Sequence, residues 1–287
     1  MQSRAWDVIP PASSSGKPTI KPVKLSFLMW SLIIFISLLF LLSCATVDFA
    51  VEELPYDEIR QAQTLISTTE FQKPVKKTTQ EIELYFNDVI ERLTPYASKF
   101  CEIYADNPLP CNWNITLENN EIFNAYAFGD NQIVIFSGLI NAVESRDELA
   151  FVVAHEMAHH IANHITEGRR NIILGQLAGA TIGALVYGTN AASADIQQAA
   201  EIGGLVGNLR YSRSQENEAD LFSLAILYHS GFDLDQAKFT LLRMANLSKQ
   251  KEKRSSFFDS HPSNPERIAY FDKHRELVEN GELFILD

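Results

Sequence analysis

Basic residues are scarce in this chain: 24 Lys and Arg stand against 36 Asp and Glu in 287 residues, a formal net charge of -12. That balance, with no basic patch and no RNA-binding motif, excludes a nucleic-acid partner. No segment recurs at a fixed period, which excludes a solenoid. Cysteine is limited to Cys44, Cys101 and Cys111, so disulfides cannot carry the fold. The 46% hydrophobic content supplies ample core instead, and the length suits one sizeable domain with appendages. Histidine is rare too, at seven residues, yet four of the seven fall within eleven positions, Ala154 to His164.

The N-terminus reads as a targeting region. Residues 1–24 are Pro- and Ser-rich, with Arg4, Lys17, Lys21 and Lys24 opposed only by Asp7. An apolar run from Leu25 to Leu42 follows, marginally long enough to span a bilayer behind its positive flank. It ends in "LLSC", which resembles a bacterial lipobox, so Cys44 is expected to be lipidated and to become the mature N-terminus. The n-region is longer than in most signal peptides, which leaves an uncleaved transmembrane anchor as the alternative. Both readings attach the protein to a membrane and hold the rest of the chain outside the cytosol. Residues 1–43 are then the targeting region, 44–77 a tether and 78–287 the folded domain. In an oxidising compartment Cys101 and Cys111, ten positions apart, form a disulfide; the alternative is two free buried thiols.

The histidine cluster reads "AHEMAHHIANH". Each helical residue advances about 100°, so His155 and His159 share one face about 40° apart. His160 and His164 share another, nearly opposite. Only the first pair has a glutamate beside its leading histidine. His155-Glu156-x-x-His159 is the H-E-x-x-H arrangement that aims two imidazoles at one zinc and leaves Glu156 next to the reactive water. The surrounding run, Asp147 to His164, has no Gly or Pro and predicts one largely buried helix. Buried histidines and a buried glutamate are costly without partners, and a metal supplies one. His160 and His164 are assigned to supporting or packing hydrogen bonds.

Elsewhere, "TTQEIELYFNDVIERLTPYA" places Ile82, Phe86, Val89, Ile90 and Leu93 at helical spacing. "WNITLEN", "NAYAF" and "QIVIFS" predict three short strands, with a turn at Gly129-Asp130-Asn131. Residues 171–188, apolar and rich in small side chains, predict a buried helix or a membrane-apposed hairpin. Further helices are predicted from about Ser214 to Tyr228, Asp233 to Leu247 and Pro265 to Glu279. The fold class is α+β, mainly α, with a small sheet beside the H-E-x-x-H helix.

A catalytic zinc needs a third protein ligand and an open position for water. "YSRSQENEAD" offers Glu216 and Glu218 on a helix. Glu216 and Asp220 share a face, whereas Glu218 points away from both. A Glu216 ligand with a second carboxylate one turn later is chemically sensible; the alternative is a solvated acidic face near a helix start. Asp220 is expected to accept the free ring N–H of a ligand histidine and fix its tautomer.

Taken in order, the Asn-Ala strand and turn of "NAYAFGDNQIVIFSGLI", His155-Glu156-x-x-His159, Ser212-Arg213-x-x-Glu216-x-x-Ala219-Asp220 and the His-Pro element "SHPSNPERI" resemble the gluzincin metallopeptidase family of HtpX, BepA, LoiP and the CAAX prenyl proteases. The likeness runs from about Thr78 to Leu277, and the lipobox points to the LoiP-like periplasmic lipoprotein branch. It implies a zinc endopeptidase with one Zn2+ per chain, held by His155, His159 and Glu216, with Glu156 as general base. Protein or peptide substrates are expected, with the strand Ile133, Val134, Ile135, Phe136 offering an open edge to an extended chain. The location implied is the bacterial envelope, facing the periplasm, the outer membrane ahead of the inner, with a role in clearing misfolded envelope proteins. Relatives of this kind also imply that His261 reaches the zinc as a fourth ligand and switch; its alternative role is to stabilise the oxyanion. Two rival readings are a non-catalytic chaperone with a structural zinc and an integral-membrane quality-control protease.

Overall fold

In the computed structural model, residues 53–72, 75–105, 110–129, 131–187, 211–247 and 260–284 are described, with the isolated positions 197, 257 and 286. The apolar run Leu25–Leu42 and Cys44 lie outside the described residues.

Helix α1 (Tyr56–Thr68) buries Ala62 and Ile66, one turn apart, against the C-terminal helices. This segment of the expected tether is thus packed into the body of the fold. Helix α2 (Thr79–Tyr104) starts at a capping box: Thr78 accepts from the Glu81 N–H, and the Glu81 carboxylate accepts in return from the Thr78 N–H. Its buried stripe of Ile82, Val89, Leu93, Ala97 and Phe100 follows the helical period. The helix runs through Cys101, which is bonded to Cys111 with Cα atoms 5.7 Å apart.

The sheet contains β1 (Asn114–Glu118), β2 (Ala125–Phe128) and β3 (Gln132–Phe136) in the order β1-β3-β2. Strand β3 pairs parallel with β1 and antiparallel with β2. The expectation that Ile133, Val134, Ile135 and Phe136 form an open edge is therefore wrong: both edges of β3 are taken. All four side chains are buried, as a central strand covered on both faces requires. Helix α3 (Ser137–Ala142) follows directly. At Gly138 the Asn119-to-Asn124 crossing passes so near that a Cβ would sit 2.2 Å from the Glu121 carbonyl oxygen. The Gly138 N–H donates to the Asn120 carbonyl at 2.7 Å.

Helix α4 (Arg146–Ile161), capped by Ser145, is the centre of the fold, with every residue from Glu148 to Ile161 buried. A helix apolar on nearly all sides must be surrounded. It packs against α2, against α6 (Arg213–His229) and against α7 (Leu234–Leu247). Its buried Glu148 carboxylate accepts from Arg243 at 2.9 and 3.2 Å. Helix α8 (Pro265–Glu279) packs on α6, α7 and α1.

Two helix expectations need correction. The helix through the histidine cluster ends at Ile161, because Asn163 adopts φ 61° and the chain turns. Asparagine tolerates that left-handed conformation better than most residues. His164 then opens a new helix, α5 (His164–Tyr187). The buried-helix reading of 171–188 fails as well, since Ile173, Leu174, Leu177 and Ile182 are all more than half exposed. Among the described residues, no helix is long and apolar enough to cross a membrane.

Candidate metal centre

Four side chains from α4, α6 and the segment before α8 converge here. His155 and His159 project from one face of α4, their Nε2 atoms 3.1 Å apart. Glu216 enters from the first turn of α6, where a second capping box, Ser212 with Gln215, sets the helix start. Its carboxylate oxygens lie 3.5 Å from each of the two Nε2 atoms. His261, from the His-Pro element before α8, brings Nδ1 to 3.2 Å from His155 Nε2 and 2.9 Å from Glu216 Oε1. All four side chains are buried, and their donor atoms lie within 4.8 Å of one another. A tetrahedron with metal–ligand bonds of about 2.0–2.1 Å has edges of about 3.3 Å, so the spacing suits a zinc-sized ion.

Glu156 supplies an independent test of fit. It is fully buried, and neither carboxylate oxygen has a hydrogen-bond partner among the described residues. His261 Nε2 lies 3.5 Å from its Oε1. A buried carboxylate left in that state is costly unless a cation or a cation-held group faces it. The donor set and the orphaned base therefore both fit a metal.

Behind the donors lies a charged layer. Asp220 Oδ1 is 2.9 Å from His155 Nδ1, the contact expected of a group that orients a ligand imidazole. Arg267, buried in the first turn of α8, donates to both Asp220 oxygens at 2.8 and 2.7 Å. It also lies 2.6 Å from Glu216 Oε2. Burial alone would lower the His155 pKa, but Asp220 and Glu216 overcome it and raise it to about 9. Burial drives His159 well below the usual histidine value, because Glu216 raises it but it has no counterpart of Asp220. Burial would raise Glu216 and Asp220, yet the Arg267 guanidinium and the His155 ring pull both carboxyls down.

Residues 77–275 match Peptidase family M48. The chain belongs to this family. Among relatives of the M48 domain, a putative β-barrel assembly-enhancing protease of Vibrio cholerae is 34% identical over 51% of this chain and 31% of its own length. Metalloprotease LoiP of Escherichia coli is 28% identical over 57% of this chain and 62% of its own. Mitochondrial metalloendopeptidase OMA1 of Arabidopsis thaliana is 29% identical over 54% and 30%. The matches thus span less than two thirds of each relative's length.

Sequence reasoning names His155, Glu156, His159, Glu216, Asp220 and His261, and the M48 fold brings all six together. It misses Arg267, whose partner Asp220 lies 47 positions away, so no local pattern marks it. It misses Tyr211, whose ring stacks on His159 with centroids 3.8 Å apart. Burial first, then the Glu156 and Glu216 carboxylates, raise the Tyr211 pKa and keep its hydroxyl protonated. The helix face assigned to His164 also needs correction, although it makes the supporting contact expected of it. Because of the break at Asn163, His164 does not face away from the ligands; its Nδ1 meets His159 Nδ1 at 3.0 Å. His160 instead reaches the Gln132 carbonyl, Nε2 to O 3.2 Å, and ties α4 to the sheet.

Proposed function

We propose that this M48 protein is a zinc-dependent endopeptidase of the bacterial cell envelope that degrades or trims misfolded envelope proteins. One observation carries the catalytic part: a buried set of two imidazoles and a carboxylate beside Glu156, a carboxylate with nothing else to bind. His155, His159 and Glu216 are the proposed ligands. Zinc held there supplies Lewis acidity toward a scissile carbonyl and acidifies a water. Glu156 takes the proton from the attacking water and later delivers it to the leaving amine. Asp220 holds the His155 ring by its Nδ1, and Arg267 holds Asp220.

The substrate edge moves from β3 to β2. Phe136 N–H donates to the Asn124 carbonyl, so residues 124, 126 and 128 face β3 with their main-chain groups. Ala125 and Ala127 turn theirs the other way, on a strand that packs against α4. An extended peptide adding to β2 would pair with those groups, and such pairing is tolerant of sequence.

His261 supports two readings. With its Nδ1 in the donor set it would supply a fourth ligand in place of the water, and its Nε2 faces Glu156, so a resting enzyme would be blocked at both the metal and the base. Release of His261 then activates it. In the other reading the ring moves only slightly and stabilises the oxyanion. The closed set of four donors also favours a non-catalytic protein with a structural zinc, but that reading leaves Glu156 without a purpose. Envelope location rests on the "LLSC" motif and the apolar run before it, and attachment through Cys44 or that run is part of the proposal. The name of the Vibrio cholerae relative, a protease tied to β-barrel assembly, supports the same compartment.

The deciding experiment is metal analysis with proteolysis on purified protein. One zinc per chain and chelator-sensitive cleavage of an unfolded substrate are expected. Glu156→Gln should keep the zinc and lose activity by at least about a hundredfold, as for removal of a general base. Full activity in Glu156→Gln would sink the mechanism. Intact mass of the mature protein tests the lipid on Cys44.

A further inference from the structure

His164 and Glu218 stand behind the metal centre and take no part in the mechanism above. His164 is buried, the first residue of α5, and both of its ring nitrogens are engaged. Nδ1 lies 3.0 Å from His159 Nδ1, and Nε2 lies 3.1 Å from Glu218 Oε2. Glu218 reaches this spot from α6, and its side chain is 20% exposed.

The donor and acceptor inventory of this chain of groups admits one arrangement that leaves a ligand free. An ionised carboxylate only accepts hydrogen bonds. Glu218 therefore places the His164 proton on Nε2, and His164 Nδ1 is left as an acceptor. That acceptor requires the proton of His159 on Nδ1. With its proton there, His159 presents an unprotonated Nε2 to the donor set. Reversing any one link would put a proton on His159 Nε2, where the metal belongs.

From this geometry we infer that His164 and Glu218 are positioning residues for His159: together they set its tautomer and ring orientation, and thereby the metal affinity of the site. On the other ligand imidazole, Asp220 Oδ1 lies 2.9 Å from His155 Nδ1, so each ring has a group behind it. The turn at Asn163 now has a reason, because a continuous helix would carry His164 to the far side of α4. This inference rests on the proposal that His159 holds a metal.

The test is zinc affinity of the full-length protein, read by competition with a fluorescent chelator, together with the melting temperature of the metal-free form. Glu218→Gln keeps the size of the side chain but lets it donate as well as accept. Its zinc dissociation constant should rise by about 10–100-fold, the usual effect of losing an outer partner of a ligand histidine. The metal-free melting temperature should stay within about 2 °C of wild type, since a partly exposed side chain adds little to the fold. The absorption spectrum of the cobalt-substituted protein should change as the His159 ring reorients. His164→Leu, which removes both hydrogen bonds, should weaken zinc at least as much. Zinc affinity of Glu218→Gln within about twofold of wild type overturns the inference. So does a loss of affinity matched by a large drop in metal-free melting temperature, which would mark damage to the fold. If the wild-type protein itself binds no zinc, the proposed function fails first and this inference with it.

Discussion

Arg267 is the side chain whose loss should be felt most widely. It is buried and places its guanidinium against Asp220 and Glu216, with a further hydrogen bond to the Pro262 carbonyl at 3.2 Å. Arg267→Met removes the charge, fills much of the volume and leaves two buried carboxylates facing one another. Removing one partner of a buried pair costs about 3–5 kcal/mol. His155, positively charged at pH 7 with its pKa raised to about 9, offsets part of this in the metal-free protein, so the lower figure applies. For a domain of this size about 3 kcal/mol corresponds to a fall of about 6–12 °C in melting temperature. The assay is thermal unfolding with chelator present, from pH 7 down to pH 4.

The pH dependence has a defined sign. In the wild type Asp220 and Glu216 have lowered pKa values, so their contribution is present above their unfolded values and lost only as pH falls through the lower folded ones. Without Arg267, burial raises both carboxyls, and the variant is penalised above its folded values and relieved as pH falls toward 4. The gap between wild type and Arg267→Met should therefore be widest at neutral pH and narrow on acidification. A loss of less than about 2 °C at pH 7, or a gap that widens in acid, would refute the reasoning.

Other outcomes follow from single contacts. His261→Ala should keep zinc and raise basal and self-directed proteolysis, measured as fragment appearance in purified protein; a fall in rate would instead support the oxyanion role. His155→Ala, His159→Ala and Glu216→Ala should each abolish stoichiometric zinc, whereas Glu218→Ala should retain it at saturating metal; the reverse pattern for the two glutamates would overturn the ligand assignment. Gly138→Ala should destabilise by about 1–3 kcal/mol or more, because the added carbon meets main chain that has no side-chain freedom to yield; an unchanged denaturant midpoint would contradict the close crossing. Reducing the Cys101–Cys111 bond should cost about 2–3 kcal/mol for so short a loop, visible as a lower melting temperature with reductant; no response would mean the bond adds nothing.

Local periodicity determined a good deal here. Spacings of four residues put His155 with His159, and Glu216 with Asp220, on shared helix faces, since a helix fixes which neighbours align whatever surrounds it. The caps at Thr78, Ser145 and Ser212, and the Asn264-Pro265 start of α8, were equally local. Strand order was not. Residues 133–136 looked like an edge by resemblance, yet their unbroken burial reflects pairing with two strands, one of them more than ten residues upstream. The partners of charged groups were not local either: Arg267 meets Asp220 across 47 positions and His164 meets Glu218 across 54. Nor did the period of a helix reveal that it would stop at Ile161, because a single asparagine in a left-handed conformation is a choice made by packing on both sides of the turn. The sequence alone determined which side chains bear the chemistry and which of them share a helix. Only the tertiary structure decided what stands behind them, because desolvation and charge pairing depend on distance in space, which local periodicity does not encode.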